Sequence, residues 1–528
     1  MIIETIKLYE MSVFSELFLG IGIIYLIMHG MFVSFTNANK FPLITFSIIY
    51  LSVLILVMSC FLLINDSLLN LVFTSFCNTI TTDYLSFFAK LVIGVASIIC
   101  LFLIQQYLLN QQINSFEYVV IILFSILGLF LLCSANDLIT AYLAVELQSL
   151  SFYILSAFKK NSIYSVESGL KYFILGAFSS GLFLFGSSLI YGTSGSLNFE
   201  DLKDLVFYEN QSFSLKAFFT IKMSELLFIS EKVNTANIDM ITSCNNLILI
   251  GLIFIFISLF FKLALTPFHL WSPDIYEGSP SSSTLFFAIV PKISIFILLL
   301  RISHLTFFSF ISMWEEYVTI IAVSSIVVGS VVGLEQRKFK SLLAYSSISH
   351  MGYLLISFCA GTIEGFQMLF CYLVIYIGSG LCIWSIFMLT SLKTVYDKKQ
   401  NKDLGDLSFL FKSNSMLAVI LATALFSIAG LPPLIGFMVK LSIFLVVIEQ
   451  SFYITAFISI VFSVISTFFY LRIIKILFFE PKLTGCLYYP INTQKAVIVS
   501  ILFYLFIYLF INPSMLYLLA YKISLFFF

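Results

Sequence analysis

The sequence predicts an all-α polytopic membrane protein with fourteen transmembrane helices, two of which are broken within the membrane. The chain of 528 residues is 60% hydrophobic and only 10% charged, whereas soluble domains carry about 25% charged residues. Apolar runs of about 20 residues, the length that a helix needs to cross a bilayer, recur from one end to the other. These runs do not alternate polar and apolar residues, as the strands of a membrane β-barrel do. The composition therefore excludes a soluble domain and disfavours a barrel.

Fourteen apolar runs define the predicted spans. Their bounds are 14–35, 42–64, 86–110, 117–134, 137–158, 168–191, 245–265, 284–302, 311–333, 341–361, 366–391, 414–450, 452–478 and 495–520. The run at 414–450 is too long for one straight crossing, and the sequence LPP interrupts it, so we interpret it as two half-helices. Residues 192–244 form the one long polar insertion, which we expect to lie outside the membrane.

Basic residues in the short loops predict the orientation of the chain. The loops after the fifth, ninth and eleventh spans carry Lys159, Lys160, Arg337, Lys338, Lys340, Lys393, Lys398, Lys399 and Lys402. The other short loops hold almost none, and Arg301 is the exception. Because basic loops stay on the cytoplasmic or matrix side, both termini are predicted on the opposite side.

No cofactor, metal or nucleic-acid partner is predicted for this chain. The nine cysteines are scattered, without a CxxC pair or a His/Cys cluster, so iron–sulfur, zinc and haem-attachment sites lack support. The nucleotide-binding loops GxxxxGK[ST] and GxGxxG are absent. Lys plus Arg and Asp plus Glu both number 27, so the net charge indicates no nucleic-acid partner.

Two proline breaks lie beside lysines within apolar runs. In FKLALTPFHLWSPDIYEG, Pro267 follows Lys262 by five residues, and in LPPLIGFMVKLSIF, Pro432 precedes Lys440 by eight. Proline removes a backbone donor and clashes with the preceding turn, so the freed carbonyls need water or a polar partner. Paired interrupted helices five spans apart are typical of inverted-repeat transporters.

Ionisable residues within the spans are the candidate functional residues, because each costs about 2.5–3.5 kcal/mol on insertion scales. They are Lys90, Glu146, Lys262, Lys292 and Lys440, with His350 and His269 as further titratable groups. Burial disfavours a charged lysine and a nearby carboxylate favours it, so a lysine between these effects can load and release a proton. Glu146 lies roughly 13 Å into its helix and is the candidate carboxylate.

Each of these residues also has a structural interpretation. Glu146 can form an ion pair that fixes helix packing, and Lys292 can form a packing hydrogen bond below Pro291. Lys440 can compensate the dipole of the broken helix, and Lys90 can extend to the membrane interface. The histidines, which titrate near neutrality, can bridge protons through water or serve as packing donors.

Six motifs carry a family resemblance. In chain order they are NDLITAYLAVELQSLSFYILSAFKKN, ESGLKYFILGAFSSGLFLFGSSLIYG, FKLALTPFHLWSPDIYEGSP, FFAIVPKISIF, KSLLAYSSISHMGYLLI and GLPPLIGFMVKLSIF. Together, between about residues 117 and 478, they resemble the family of mitochondrial NADH:ubiquinone oxidoreductase (complex I) subunit 2. Members of this family are antiporter-like proton-pumping subunits.

The resemblance implies a fold of fourteen helices with two inverted five-helix repeats, spans four to eight and nine to thirteen, in which helices seven and twelve are broken. It divides the chain into an N-terminal three-helix segment (1–116), a first repeat with the insertion 192–244 (117–302), a second repeat (303–480) and a C-terminal helix (481–528).

The resemblance also implies a proton relay and a set of partners. Glu146 would modulate Lys262, Lys292 would relay the proton, and Lys440 would lie on the outlet side. NADH oxidation and quinone reduction would occur in other subunits. The implied partners are the antiporter-like subunit 4, the small subunits 3, 4L and 6, accessory subunits and lipids such as cardiolipin. The implied location is the mitochondrial inner membrane, with both termini in the intermembrane space.

Two other functions are weighed against this one. A subunit of a multi-subunit cation/proton antiporter would share the glutamate of span five and the lysine of span seven, but the FFAIVPKISIF string around Lys292 favours subunit 2. A purely structural scaffold would gain little from three buried lysines and two broken helices, given their insertion costs.

Overall fold

The computed structural model describes residues 13–35, 42–67, 73–111, 115–205, 231–393, 398–400, 403–432, 434–480 and 492–525. Helices dominate this part of the chain. Two short antiparallel strand pairs interrupt them, Phe73–Ser75 with Ile80–Thr82 and Ser391–Lys393 with Lys398–Gln400. The insertion predicted at 192–244 lies partly outside the described residues, because 206–230 are not among them.

Thirteen helices among the described residues are long and apolar enough to cross a membrane. They are Phe14–Phe35, Pro42–Ser67, Tyr84–Asn110, Glu117–Ser134, Leu138–Ala157, Ile163–Ser194, Glu231–Leu263, Ser281–Leu300, Ile311–Glu335, Phe339–Cys359, Ile363–Leu389, Tyr453–Phe478 and Thr493–Ile511. We number them as spans 1 to 11, 13 and 14. Span 12 is the interrupted pair of helices Ser415–Ala429 and Ile435–Glu449, and the fourteen predicted spans are thereby confirmed.

The remaining helical segments are short. Span 7 resumes after its break as the helix Trp271–Gly278, and span 8 runs on into a π-helical turn, Arg301–Thr306. Further short elements are the 3₁₀ helices Phe308–Phe310 and Leu404–Phe409 and the α-helices Leu410–Ser413 and Ser514–Ser524.

Spans 4 to 8 and spans 9 to 13 repeat one order of elements: three continuous spans, an interrupted span and another continuous span. Because five is odd, the second set crosses the membrane in the opposite direction to the first, as an inverted repeat requires. The break at the fourth span of each set makes the two sets equivalent along the chain.

Close helix contacts confirm this equivalence. A Cβ added to Gly128 of span 4 would lie 2.9 Å from the backbone nitrogen of Gln148 in span 5. A Cβ added to Gly329 of span 9 would lie 2.7 Å from the backbone nitrogen of Ser349 in span 10. Gly329 follows Gly128, and Ser349 follows Gln148, by the same number of residues along the chain. By this register, Ser347 and His350 of span 10 correspond to Glu146 and Ser149 of span 5.

The centre of the molecule is formed by spans 8, 10 and 11. Every residue of the helix Ser281–Leu300 is buried, and most residues of spans 10 and 11 are buried as well. Most residues of spans 13 and 14, in contrast, are not buried. Polar groups on the three central spans are therefore shielded from the surrounding lipid.

Two basic residues lie elsewhere than their sequence context suggests. The interface position expected for Lys90 is wrong, because this residue is buried and forms an ion pair with Glu16 of span 1. Arg301, expected in a short loop, is buried at the end of span 8, with Nη2 2.5 Å from Oδ2 of Asp83. Its Nη1 donates a hydrogen bond to Oγ1 of Thr81 at 3.0 Å. The Arg301–Asp83 ion pair ties the first three spans to the first repeat.

Candidate proton-transfer site

The first group of candidate residues lies on one face of span 5. Glu146, Ser149 and Tyr153 are spaced by three and four residues, so their side chains follow one another along the helix. Oγ of Ser149 donates a hydrogen bond to Oε2 of Glu146 at 3.3 Å. The carboxylate, the Ser149 hydroxyl and the Tyr153 hydroxyl therefore follow one another along this face of the helix.

Lys262, in the first half of span 7, binds the last residue of this group, Tyr153. Its Nζ donates a hydrogen bond to the Tyr153 hydroxyl at 3.4 Å and lies 5.7 Å from the centre of the tyrosine ring. Among the described residues, the Lys262 ammonium and the Glu146 carboxylate do not form an ion pair, although their charges interact. Each predicted partner thus binds its own hydroxyl group of span 5, Ser149 for Glu146 and Tyr153 for Lys262.

Backbone geometry explains how Lys262 is held beside the break of span 7. Ala264 has a φ of +60°, and the amide of Leu265 donates back to the carbonyl of Phe260 at 3.0 Å. This is the Schellman ending of a helix, which stops the helix just after Lys262. The indole of Trp271 then donates to the carbonyl of Phe261 at 2.9 Å.

Lys292 lies in the buried centre, on span 8. Its Nζ donates a hydrogen bond to the hydroxyl of Tyr376, on span 11, at 2.7 Å. That hydroxyl donates in turn to the carbonyl of Ala288 at 3.2 Å. The packing hydrogen bond considered for Lys292 is therefore present, and it is made to a group that can itself exchange a proton.

His350 lies between two tyrosines in the second repeat. Its Nδ1 is 2.7 Å from the hydroxyl of Tyr372, and its Nε2 is 2.9 Å from the hydroxyl of Tyr470. One ring nitrogen donates and the other accepts in neutral histidine, and the tautomer decides which. The centre of its ring lies 6.0 Å from that of Tyr376, the partner of Lys292, and 6.2 Å from that of Tyr353, which Lys440 faces.

Lys440 lies at the break of span 12. Its Nζ donates to the carbonyls of Ile428 and Ala429 at 2.7 Å and 2.9 Å, and it lies 5.3 Å from the ring of Tyr353. These carbonyls end the helix Ser415–Ala429 and carry its partial negative charge. The structural role considered for Lys440, compensation of the helix dipole, is therefore seen directly.

His269 lies in the break of span 7, apart from the other candidates. It is half-buried, and its Nδ1 has no hydrogen-bond partner. In the described part of the chain, no hydrogen bond or ring contact joins it to Glu146, Lys262 or Lys292. Its role in proton transfer stays a prediction.

Sequence reasoning missed the hydroxyl groups that connect the charged residues. They are Ser149, Tyr153, Tyr353, Tyr372, Tyr376 and Tyr470. The spacing of Ser149 and Tyr153 from Glu146 was a usable signal, because it puts all three on one helix face. The tyrosines of spans 11 and 13 gave no such signal, since the chain holds 27 tyrosines.

Metal ligands are not grouped in the part of the chain that the structure describes, where no three His, Cys, Asp or Glu side chains come together. The expected absence of a resident cofactor stays a prediction.

Comparisons with known proteins identify the family of the chain. A family profile described as NADH:quinone oxidoreductase/Mrp antiporter, TM, matches residues 135–466. NADH-ubiquinone oxidoreductase chain 2 of Marchantia polymorpha is 36% identical over 521 residues, which cover 98% of each chain. NADH-quinone oxidoreductase subunit N of Pelagibacter ubique is 34% identical over 470 residues, covering 89% of this chain and 90% of the relative.

A solved structure shares the fold. One chain of respiratory complex I from Thermus thermophilus with bound Aureothin superposes with a TM-score of 0.75 at 24% identity, and the match covers 96% of this chain and 99% of that chain. The family resemblance of the six motifs is confirmed. This chain belongs to the NADH:quinone oxidoreductase/Mrp antiporter transmembrane family, among the NADH-ubiquinone oxidoreductase chain 2 and NADH-quinone oxidoreductase subunit N proteins.

Proposed function

We propose that this chain is the proton-translocating chain 2 subunit of respiratory complex I. The observation that carries the proposal is a set of titratable groups within the spans that are hydrogen-bonded to hydroxyl and carbonyl groups. Glu146 and Lys262 bind hydroxyls of span 5. Lys292 and His350 bind tyrosine hydroxyls, and Lys440 binds the carbonyls at the break of span 12. The names of the relatives link this arrangement to NADH:quinone oxidoreduction, whose electron transfer we assign to other subunits.

The contacts of the lysines suit proton exchange. Lys292 and Lys440 are held by hydroxyl and carbonyl oxygens, and among the described residues neither forms an ion pair with a carboxylate. Gaining or losing a proton at either lysine therefore breaks hydrogen bonds but no ion pair. We assign Lys262 to proton loading beside Glu146, Lys292 and His350 to relay, and Lys440 to the outlet side.

The antiporter alternative has less support. The family profile names both NADH:quinone oxidoreductase and Mrp antiporter, so the family alone does not separate them. Both relatives described above are NADH oxidoreductase subunits and match most of the chain. The three lysines within the spans and the two breaks argue against a purely structural scaffold.

Membership of a multi-subunit complex and a multi-pass position in an inner membrane follow from the relatives and from the apolar helices. We further propose the finer assignments. The repeats are 117–302 and 303–480, flanked by 1–116 and 481–528. The neighbours are the antiporter-like subunit 4, the small subunits 3, 4L and 6, accessory subunits and lipids such as cardiolipin. The membrane is that of the mitochondrion, with both termini in the intermembrane space.

The decisive test compares Lys262→Ala with Lys160→Ala, a change at an exposed loop lysine. The complex containing the chain is purified and sealed in vesicles, and inhibitor-sensitive NADH oxidation is followed together with a pH-sensitive dye. We expect Lys262→Ala to assemble but to lose at least about tenfold in proton translocation, since a positioned proton-transfer group contributes about 10²–10⁴-fold.

Two results would contradict the proposal. One is an assembled Lys262→Ala complex that pumps like the Lys160→Ala control. The other is a purified complex that exchanges sodium for protons without oxidising NADH, which would move the chain to the antiporters.

A further inference from the structure

The helix Ser514–Ser524 follows span 14 after a short break at Asn512 and Pro513. Span 14, Thr493–Ile511, has 19 residues and is therefore about 28 Å long, close to the hydrocarbon thickness of a bilayer. Because span 14 alone uses this thickness, the helix that follows it begins at the membrane surface.

One face of the Ser514–Ser524 helix packs against span 11. Nε2 of Gln367 donates a hydrogen bond to the carbonyl of Tyr517 at 3.1 Å. The thiol of Cys371 is a weak donor to the carbonyl of Leu516, with 4.0 Å between sulfur and oxygen. The residues of the packed face recur at helical spacing and are all buried: Leu516, Ala520, Ile523 and Ser524.

These contacts also fix the depth of the helix. Span 11 begins at Ile363, so Gln367 and Cys371 lie about 6 Å and 12 Å from its start, at 1.5 Å per residue. The Ser514–Ser524 helix is therefore level with the outer end of span 11, where the apolar part of a bilayer meets its headgroups.

The opposite face of the helix is exposed and apolar. Met515, Leu518 and Leu519 are each more than half exposed. Along the chain this apolar edge continues the exposed surface of span 14, which includes Tyr504 and Ile511. Apolar side chains that cluster on a surface mark contact with a lipid or a protein. Because the exposed surface of a membrane span faces lipid, we assign the edge that continues it to lipid as well.

The last turn of the helix carries the two residue types that anchor a protein at a membrane surface. Tyr521 is exposed, and so is Lys522. Among the residues that the structure describes, Lys522 forms no ion pair. Tyrosine rings are enriched at the level of the headgroups, and a lysine extends its ammonium from apolar surroundings towards polar ones.

We propose that the Ser514–Ser524 helix lies in the headgroup layer of the bilayer. Met515, Leu518 and Leu519 insert among the acyl chains, and the ammonium of Lys522 binds the phosphate of a phospholipid, as in other interfacial helices. The inference goes beyond the proposed function, since it requires only that the spans cross a membrane. In this position the helix also supplies the Gln367 amide with an acceptor that hydrocarbon would not offer.

The first test needs no variant. The assembled complex is purified and reconstituted with phosphatidylcholine that carries a photoreactive diazirine, either next to the headgroup or at the end of an acyl chain. After illumination, mass spectrometry locates the lipid adducts. We expect residues 514–525 to be labelled about threefold more by the headgroup probe than by the chain-end probe. Ile501 and Tyr504, exposed in the middle of span 14, should show the reverse preference.

Two results of this experiment would overturn the proposal. One is labelling of Ile501 and Tyr504 without any adduct on residues 514–525, which would mean that protein or water covers the helix. The other is stronger labelling of the helix by the chain-end probe, which would place it within the hydrocarbon.

The second test addresses the phosphate contact of Lys522. Lys522→Gln is compared with Lys160→Gln, a change at an exposed loop lysine, in vesicles that contain a headgroup probe on either phosphatidylglycerol or phosphatidylcholine. Removing the charge should lower the ratio of anionic to zwitterionic adducts on residues 514–525 about twofold. Lys160→Gln should leave this ratio unchanged. The same ratio in both variants would show that Lys522 does not bind lipid phosphate.

Discussion

Span 7 ends its first half-helix at Leu263, and span 12 ends its first half-helix at Ala429. Both ends have the Schellman pattern, with Ala264 at a φ of +60° in one and Gly430 at +81° in the other. In each break the amide that follows donates back five residues, at 3.0 Å in span 7 and 3.2 Å in span 12. The backbone of the two breaks is therefore the same.

The lysine side chains at the two breaks have different hydrogen-bond partners. In span 7 the neutral indole of Trp271 donates to a terminal carbonyl, and Lys262, which precedes the break, faces the hydroxyl of Tyr153. In span 12 the lysine follows the break, and its ammonium donates to two terminal carbonyls. One repeat thus separates the structural donor from the titratable lysine, while the other combines both roles in Lys440.

The strongest test of this difference is Lys440→Met, for which we expect loss of proton translocation and also a lower yield of assembled complex. The change removes the charge and leaves the carbonyls of Ile428 and Ala429 without their donor, at about 1–3 kcal/mol for each unsatisfied group. Native gels and the vesicle assay measure the two effects. Lys475→Met, at an exposed lysine, is the control. Full assembly of Lys440→Met would show that the carbonyls do not need the lysine.

Gly430→Ala tests the backbone of the same break. A Cβ at this position would lie 2.8 Å from Cδ of Lys440, and the left-handed conformation costs an L-residue about 1–2 kcal/mol. We expect a several-fold loss of translocation because Lys440 is pushed from its carbonyls. Gly181→Ala, where a Cβ meets nothing within 4 Å, should have no such effect. Equal activity of the two variants would contradict the tight fit.

Trp271→Phe is expected to lower the thermal stability of the complex while proton translocation continues. The indole donor to Phe261 is lost, at about 0.5–1.5 kcal/mol because that carbonyl keeps the amide of Ala264 as a donor, and Lys262 keeps its hydroxyl partner. The midpoint of thermal inactivation measures the effect. Trp384→Phe, at a buried tryptophan that contacts Tyr276 and Phe387, controls for the smaller ring. A loss of pumping as large as in Lys440→Met would contradict the assignment of separate structural and titratable groups to the break of span 7.

Ala264→Gly should have the smallest effect, and it should be favourable. Alanine pays about 1–2 kcal/mol for the left-handed conformation that glycine adopts freely, so the midpoint of thermal inactivation is expected to rise slightly. The same change at Ala177, inside span 6, should lower it, because glycine weakens a helix by about 0.5–1 kcal/mol. A fall in both variants would show that the break of span 7 tolerates its alanine without strain.

The spans and both breaks were predictable because they depend on local sequence. Apolar length sets the number of spans, and Pro267 and Pro432 mark the breaks whatever the rest of the chain does. Lys262, Lys292 and Lys440 were found by the same means, since a charge within an apolar run is visible in one sequence.

Partners that lie far apart along the chain were not predictable. Lys90 is seven residues into span 3, so interface exposure was a reasonable expectation, and only the fold brings Glu16 to it. Tyr376 and Tyr470 bind Lys292 and His350 from other spans, and tyrosine is too common in this chain to stand out. These contacts depend on how neighbouring helices are aligned. The hydropathy of a single helix does not determine that alignment.

The buried Arg301–Asp83 ion pair has a consequence for biosynthesis. Its two residues are 218 positions apart, so at about 5–20 residues per second the ribosome makes Arg301 on the order of 10–40 s after Asp83. The Glu16–Lys90 pair, only 74 positions apart, can close as soon as span 3 is made. The first three spans can therefore assemble early, while the Asp83 carboxylate has not yet met Arg301. Docking of these spans onto span 8 is delayed until span 8 leaves the insertion machinery.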